Sequence, residues 1–103
     1  MALRTLPPYE EYQDAVEYID SAIKRFGGRY RDWYVGIAAE VEVRLTQHNA
    51  QYESRVWYET LSEDIARAVE AHFLDLGAKG GKGGGDARTR TVYAYRISPT
   101  TKQ

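Results

Sequence analysis

A chain of 103 residues, 43% of them hydrophobic, can bury one modest core, which predicts a single domain over 1–103. It has no cysteine and only two histidines, which excludes disulfides and thiolate metal sites and argues against structural zinc. The net charge of −1 is unlike that of a protein that coats nucleic acid, yet residues 1–76 carry eight basic and fourteen acidic side chains, whereas 77–103 carry six basic and only Asp86.

Residues 1–8 read as a tail that ends in Pro7-Pro8, a pair that blocks helix propagation backwards. From 9 to 26, apolar residues at Tyr12, Val16, Ile19, Ile23 and Phe26 fall at helical spacing. Acidic residues near the start, Lys24 and Arg25 near the end, and Gly27-Gly28 as a stop complete a first helix. Aromatic and β-branched residues in 29–37 predict a strand interrupted by Gly36, where a glycine marks close approach of another backbone or a ligand.

A second helix is expected over 39–49, with Val41 and Leu45 on its buried stripe and Arg44 and His48 one turn apart on an adjoining one. Residues 49–53 read as a loop. A short strand follows over 55–60, with Val56 and Tyr58 on one face and Trp57 on the other. Thr60 and Glu63 have capping-box spacing, and Ile65, Val69, Phe73 and Leu76 continue as a helical stripe to Gly77, with Glu70 at the edge of that stripe.

Residues 77–88 form a glycine-rich loop, either a flexible connector or a phosphate cradle built from backbone N–H groups, Lys79 and Lys82. It lacks the Gly-Lys-Ser/Thr ending of a P-loop and precedes a strand. That strand, 89–97, alternates so that Thr91, Tyr93, Tyr95 and Ile97 share one face and Val92, Ala94 and Arg96 the other. Residues 98–103 read as a frayed polar tail. The order α-β-α-β-α-β predicts an α/β (α+β) fold, a small three-stranded sheet packed with three helices. No run of about 18 apolar residues is present, so no membrane partner and a cytoplasmic location are expected.

Tyr34-Val35-Gly36, followed by Arg44 and then His48, resembles the second half of the GIY-YIG endonuclease signature, in which a YIG-type strand leads to a helix bearing a phosphate-contacting arginine. A later helix of that family supplies a metal-binding glutamate, and Glu70 lies where it would be expected. The GIY strand that precedes YIG in the family has no counterpart here, because that region is the helix ending IKRFGG. A circular permutation would repair this, with TVYAYRI beside WYVGI and Tyr93 or Tyr95 replacing the missing tyrosine.

The resemblance implies phosphodiester hydrolysis of nucleic acid, DNA ahead of RNA. Arg44 would clamp phosphate, and Glu70 would hold one Mg²⁺ or Mn²⁺. Tyr34 with Tyr93 or Tyr95 would orient or deprotonate water, His48 would assist proton transfer or bind phosphate, and Gly36 would allow close approach. The alternative is a non-catalytic nucleic-acid- or protein-binding module with a degenerate site. Oligomeric state is open. Convergence of Arg44, Glu70 and a tyrosine hydroxyl on one cleft separates the two.

Overall fold

The computed structural model describes residues 7–50, 54–81 and 88–103. Helix α1 spans Pro7–Phe26, a short 3₁₀ turn Tyr30–Asp32, strand β1 Trp33–Ala38, helix α2 Val41–Gln47, strand β2 Arg55–Glu59, helix α3 Glu63–Asp75 and strand β3 Thr91–Arg96. The class is α+β, with the predicted order of elements and an antiparallel sheet. No helix among the described residues is long and apolar enough to cross a membrane.

Several boundaries differ from the sequence expectation for identifiable reasons. Pro7 and Pro8 belong to the first turn of α1 rather than preceding it, because proline there gives up only N–H groups that a helix start leaves unbonded. Helix α2 is shorter than 39–49, and the chain leaves it through Asn49 at φ +56°, a left-handed conformation that asparagine tolerates. The α3 cap is not Thr60 but Ser62, whose Oγ accepts from the Ile65 N–H at 3.3 Å. Thr60 instead donates to the carbonyls of Ser62 and Arg90.

The strand order is β1-β3-β2, with β3 antiparallel to both neighbours. The last strand is therefore the centre of the sheet and lies directly beside β1, with Tyr34 opposite Tyr95 and Gly36 opposite Tyr93. On one face α1 and α3 bury Ile19, Ile23, Val69 and Phe73 against Trp33, Val35, Val92 and Ala94. Fully burying such aliphatic and aromatic side chains contributes about 1.5–3 kcal/mol each. On the other face α2 places Leu45 against Tyr34, Ala38, Tyr93 and Tyr95.

The start of the glycine-rich segment is ordered against the sheet. Lys79 forms a parallel bridge with Tyr34, its N–H donating to the Trp33 carbonyl and its carbonyl accepting from Val35 N–H, both at 2.8 Å. The outer edge of β1 is thus covered where its hydrogen-bonding groups would otherwise face out. Lys82, the other lysine expected at a phosphate cradle, lies outside the described residues.

Candidate functional site

Period-two alternation sends Tyr34 of β1 and Tyr93 and Tyr95 of β3 to the α2 face. The Tyr34 and Tyr95 rings stack at 5.2 Å and 20°, and those of Tyr34 and Tyr93 at 6.4 Å and 21°. The His48 ring packs among all three, with centroids between 4.7 and 5.7 Å away. His48 stands at the C-terminal cap of α2, one turn after Arg44, and its N–H is bonded to the Arg44 carbonyl.

Both ring nitrogens of His48 are engaged. Nδ1 is 2.5 Å from the Lys102 carbonyl and 2.9 Å from the Tyr95 hydroxyl, and Nε2 is 2.9 Å from the Tyr93 hydroxyl. A carbonyl only accepts, so Nδ1 carries the proton. In the neutral ring Nε2 then accepts from the Tyr93 O–H, while the Tyr95 hydroxyl donates to the Lys102 carbonyl at 3.1 Å. The segment 98–103 is therefore not frayed. Ser98-Pro99-Thr100-Thr101 turns back through the Thr101 N–H to the Ser98 carbonyl, and Lys102 N–H reaches the His48 carbonyl at 2.7 Å. The Ser-Pro dipeptide carried the signal for this turn; the landing point on His48 had none.

Burial pushes the Tyr93 phenol above its usual pKa. Tyr34 and Glu70 add to the rise, while the nearby Arg44 guanidinium opposes it. Tyr95 is pushed up further, first by burial and then by Tyr34 and Tyr93. Both hydroxyls are thus held protonated and turned inward, at 1% and 0% exposure. They position His48, and neither is suited to be a phenolate base.

What opens to the outside is a cavity of about 250 Å³ lined by Tyr34, Arg44, Gln47, His48, Lys102 and Gln103. Of the residues singled out in the sequence, Tyr34, Arg44 and His48 reach this cavity directly, with Tyr93 and Tyr95 immediately behind it. Gly36 does admit close approach, but the Tyr93 ring fills the space: a Cβ at Gly36 would lie 2.6 Å from the Tyr93 hydroxyl oxygen. A Cβ added to Gly81 would lie 2.7 Å from the Tyr34 hydroxyl, so the start of the glycine-rich segment passes close to that group.

Glu70 belongs to α3, in the layer across the sheet, and does not line the cavity. Its carboxyl is buried, and burial raises its pKa against the opposing pull of Arg67. Among the described residues there is no group of three His, Cys, Asp or Glu side chains able to hold a metal. Glu70 alone fits a hard divalent ion only in the manner of Mg²⁺, which binds through one or two carboxylates, keeps several waters and borrows substrate phosphate oxygens.

Fold and site together define a small α+β domain with an arginine-flanked tyrosine and histidine cleft. No family model, curated protein or solved structure matches the chain.

Proposed function

We propose that the chain is a GIY-YIG-like domain that hydrolyses phosphodiester bonds of nucleic acid, with β3 standing in for the strand the family places before YIG. The observation that carries the reading is the gathering of Arg44, His48 and Tyr34 around one cavity, with the Tyr93 hydroxyl bonded to His48 behind it. Residues far apart in sequence share that locality, and their types match the needs of phosphoryl chemistry.

In this reading Arg44 takes the phosphate through its planar fork of donors. Tyr34 orients the attacking water. His48, held in one tautomer by the Lys102 carbonyl, lines the phosphate pocket beside Arg44, and would assist proton transfer only when its Nε2 is released from the Tyr93 hydroxyl. Glu70 would hold Mg²⁺ or Mn²⁺, which when bound supplies positive charge for the leaving oxygen. The reading takes nucleic acid as partner, DNA ahead of RNA, and a cytoplasmic location.

The test is cleavage of labelled DNA and RNA by purified protein with Mg²⁺ or Mn²⁺. Arg44→Ala should lower the rate by roughly 10²–10³, as loss of a transition-state donor does, and Glu70→Ala should abolish metal-dependent cleavage. Cleavage indifferent to both changes would overturn the assignment. A second reading, a binding module without catalysis, is favoured by two observations: Glu70 lies across the sheet from the cavity that Arg44 lines, and the His48 nitrogens and the Tyr93 and Tyr95 hydroxyls are all satisfied within the protein. Binding of nucleic acid without any cleavage would select it.

A further inference from the structure

Trp57 of β2 sits opposite Tyr93 of β3 at the outer edge of the sheet. There the apolar face stops being covered. Trp57 is 39% exposed, and beside it a groove of about 460 Å³ opens between β2 and the C-terminal half of α1. Tyr18 and Phe26 of α1 form one wall, Trp57 and Arg55 the other, and Arg25 stands at the rim.

The groove pairs each cation with a ring. The Arg55 guanidinium lies 5.9 Å from the Trp57 ring and that of Arg25 lies 5.4 Å from the Phe26 ring. Arg96 is at the same end, its Nη1 donating to the Phe26 carbonyl at 3.3 Å. At the other end the sign reverses, with the carboxylates of Glu11 and Asp14 acting on Tyr58, whose ring meets Tyr18. An anionic ligand is therefore drawn to the Arg25 and Arg55 end and repelled from the opposite one.

We propose that this groove is a stacking platform for single-stranded nucleic acid: one unpaired base lies against Trp57, and the flanking phosphates are taken by Arg25 and Arg55. Exposed aromatic faces interleaved with arginines suit unpaired bases, whose π-faces a duplex hides inside its stack. The inference deepens the nuclease reading by naming an unpaired substrate, and rests on that reading only for the link to cleavage.

Tryptophan fluorescence tests it without any metal present. Trp33 is fully buried and its indole N–H is bonded to the Gly27 carbonyl, so a ligand in solution quenches Trp57. Titration with a fluorescently labelled oligothymidylate should quench this emission, and anisotropy of the label should show binding about tenfold weaker for Trp57→Ala and partly restored in Trp57→Phe. Arg25→Gln and Arg55→Gln should each reduce the salt-dependence slope by about 0.7. Absence of quenching, unchanged affinity in Trp57→Ala, or equally tight binding of a duplex of the same length would overturn the proposal. Cleavage is scored separately on the same samples with Mg²⁺. An oligonucleotide that quenches but stays intact removes the nuclease reading and leaves the groove; a cut duplex without quenching does the reverse.

Discussion

The phenol of Tyr93 lies over Gly36, its partner across the β1-β3 ladder, so closely that a Cβ on the glycine would meet the hydroxyl oxygen at 2.6 Å and the ring carbon bearing it at 2.7 Å. That position lets the hydroxyl reach His48 across β1. Gly36 is thus the condition for the internal hydrogen bonds of the site.

Gly36→Ala should consequently destabilise the fold by about 1–3 kcal/mol, the usual cost of overpacking a filled interior. Backbone strain plays no part, since Gly36 is not among the glycines with positive φ. Denaturant unfolding measures the loss. An alanine variant as stable as the parent would mean that the Tyr93 ring moves aside freely.

Tyr95→Phe removes a hydroxyl that donates to the Lys102 carbonyl and borders His48 Nδ1. The Nδ1–Lys102 bond remains, so the expected loss is about 1 kcal/mol. Tyr93→Phe leaves Nε2 of a buried ring without its partner and should cost more, about 1–3 kcal/mol. Nitrogen NMR of the imidazole checks the underlying geometry directly: at neutral ring charge the proton should be on Nδ1. A proton on Nε2 would reverse the Tyr93 bond and leave Nδ1 without its bond to the Lys102 carbonyl.

Alkaline pH probes the same groups. Burial raises the pKa of Tyr93 and Tyr95 in the folded chain above the ordinary tyrosine value of about 10. Between that value and the folded pKa, the unfolded chain holds fewer protons than the folded one, so stability is complete below pH of about 10 and falls as pH rises further. Tyrosinate absorbance from these two residues should appear together with loss of tertiary structure. Ionisation of all tyrosines well before unfolding would show that the pair is open to solvent.

The alternation in 91–97 already separated Tyr93 and Tyr95 from Val92 and Ala94, and the helical stripes located Ile19, Val69 and Phe73, because both patterns are local consequences of side-chain direction. That β3 lies between β1 and β2 was not legible in that way, since strand order depends on long-range pairing that alternation does not encode. The resemblance at YVG suggested only the adjacency of β1 and β3. The Ser62 cap displaced Thr60 because the chain bends at 61–62 and brings the Ser62 Oγ to the Ile65 N–H, leaving Thr60 to bond the Arg90 carbonyl. The Lys102 carbonyl on His48 had no side-chain pattern to announce it, being a backbone group delivered by a turn.

Glu70 separates stability from function most sharply. Burial raises its carboxyl pKa in the folded chain. A carboxyl raised in this way favours the folded state below the unfolded value of about 4.3, and that contribution is lost as pH rises through the folded pKa. At neutral pH the buried carboxylate is therefore a burden, and Glu70→Gln, similar in shape and uncharged, should raise Tm by a few degrees, with the gain vanishing at acid pH. A divalent ion relieves the same burden, so Mg²⁺ or Mn²⁺ should raise Tm of the parent protein and leave Glu70→Gln unchanged. Calorimetry of both proteins with and without metal reads all four cases. A glutamine variant less stable at neutral pH would mean that the carboxylate is held by favourable contacts, and metal stabilisation equal in both proteins would remove Glu70 as the ligand.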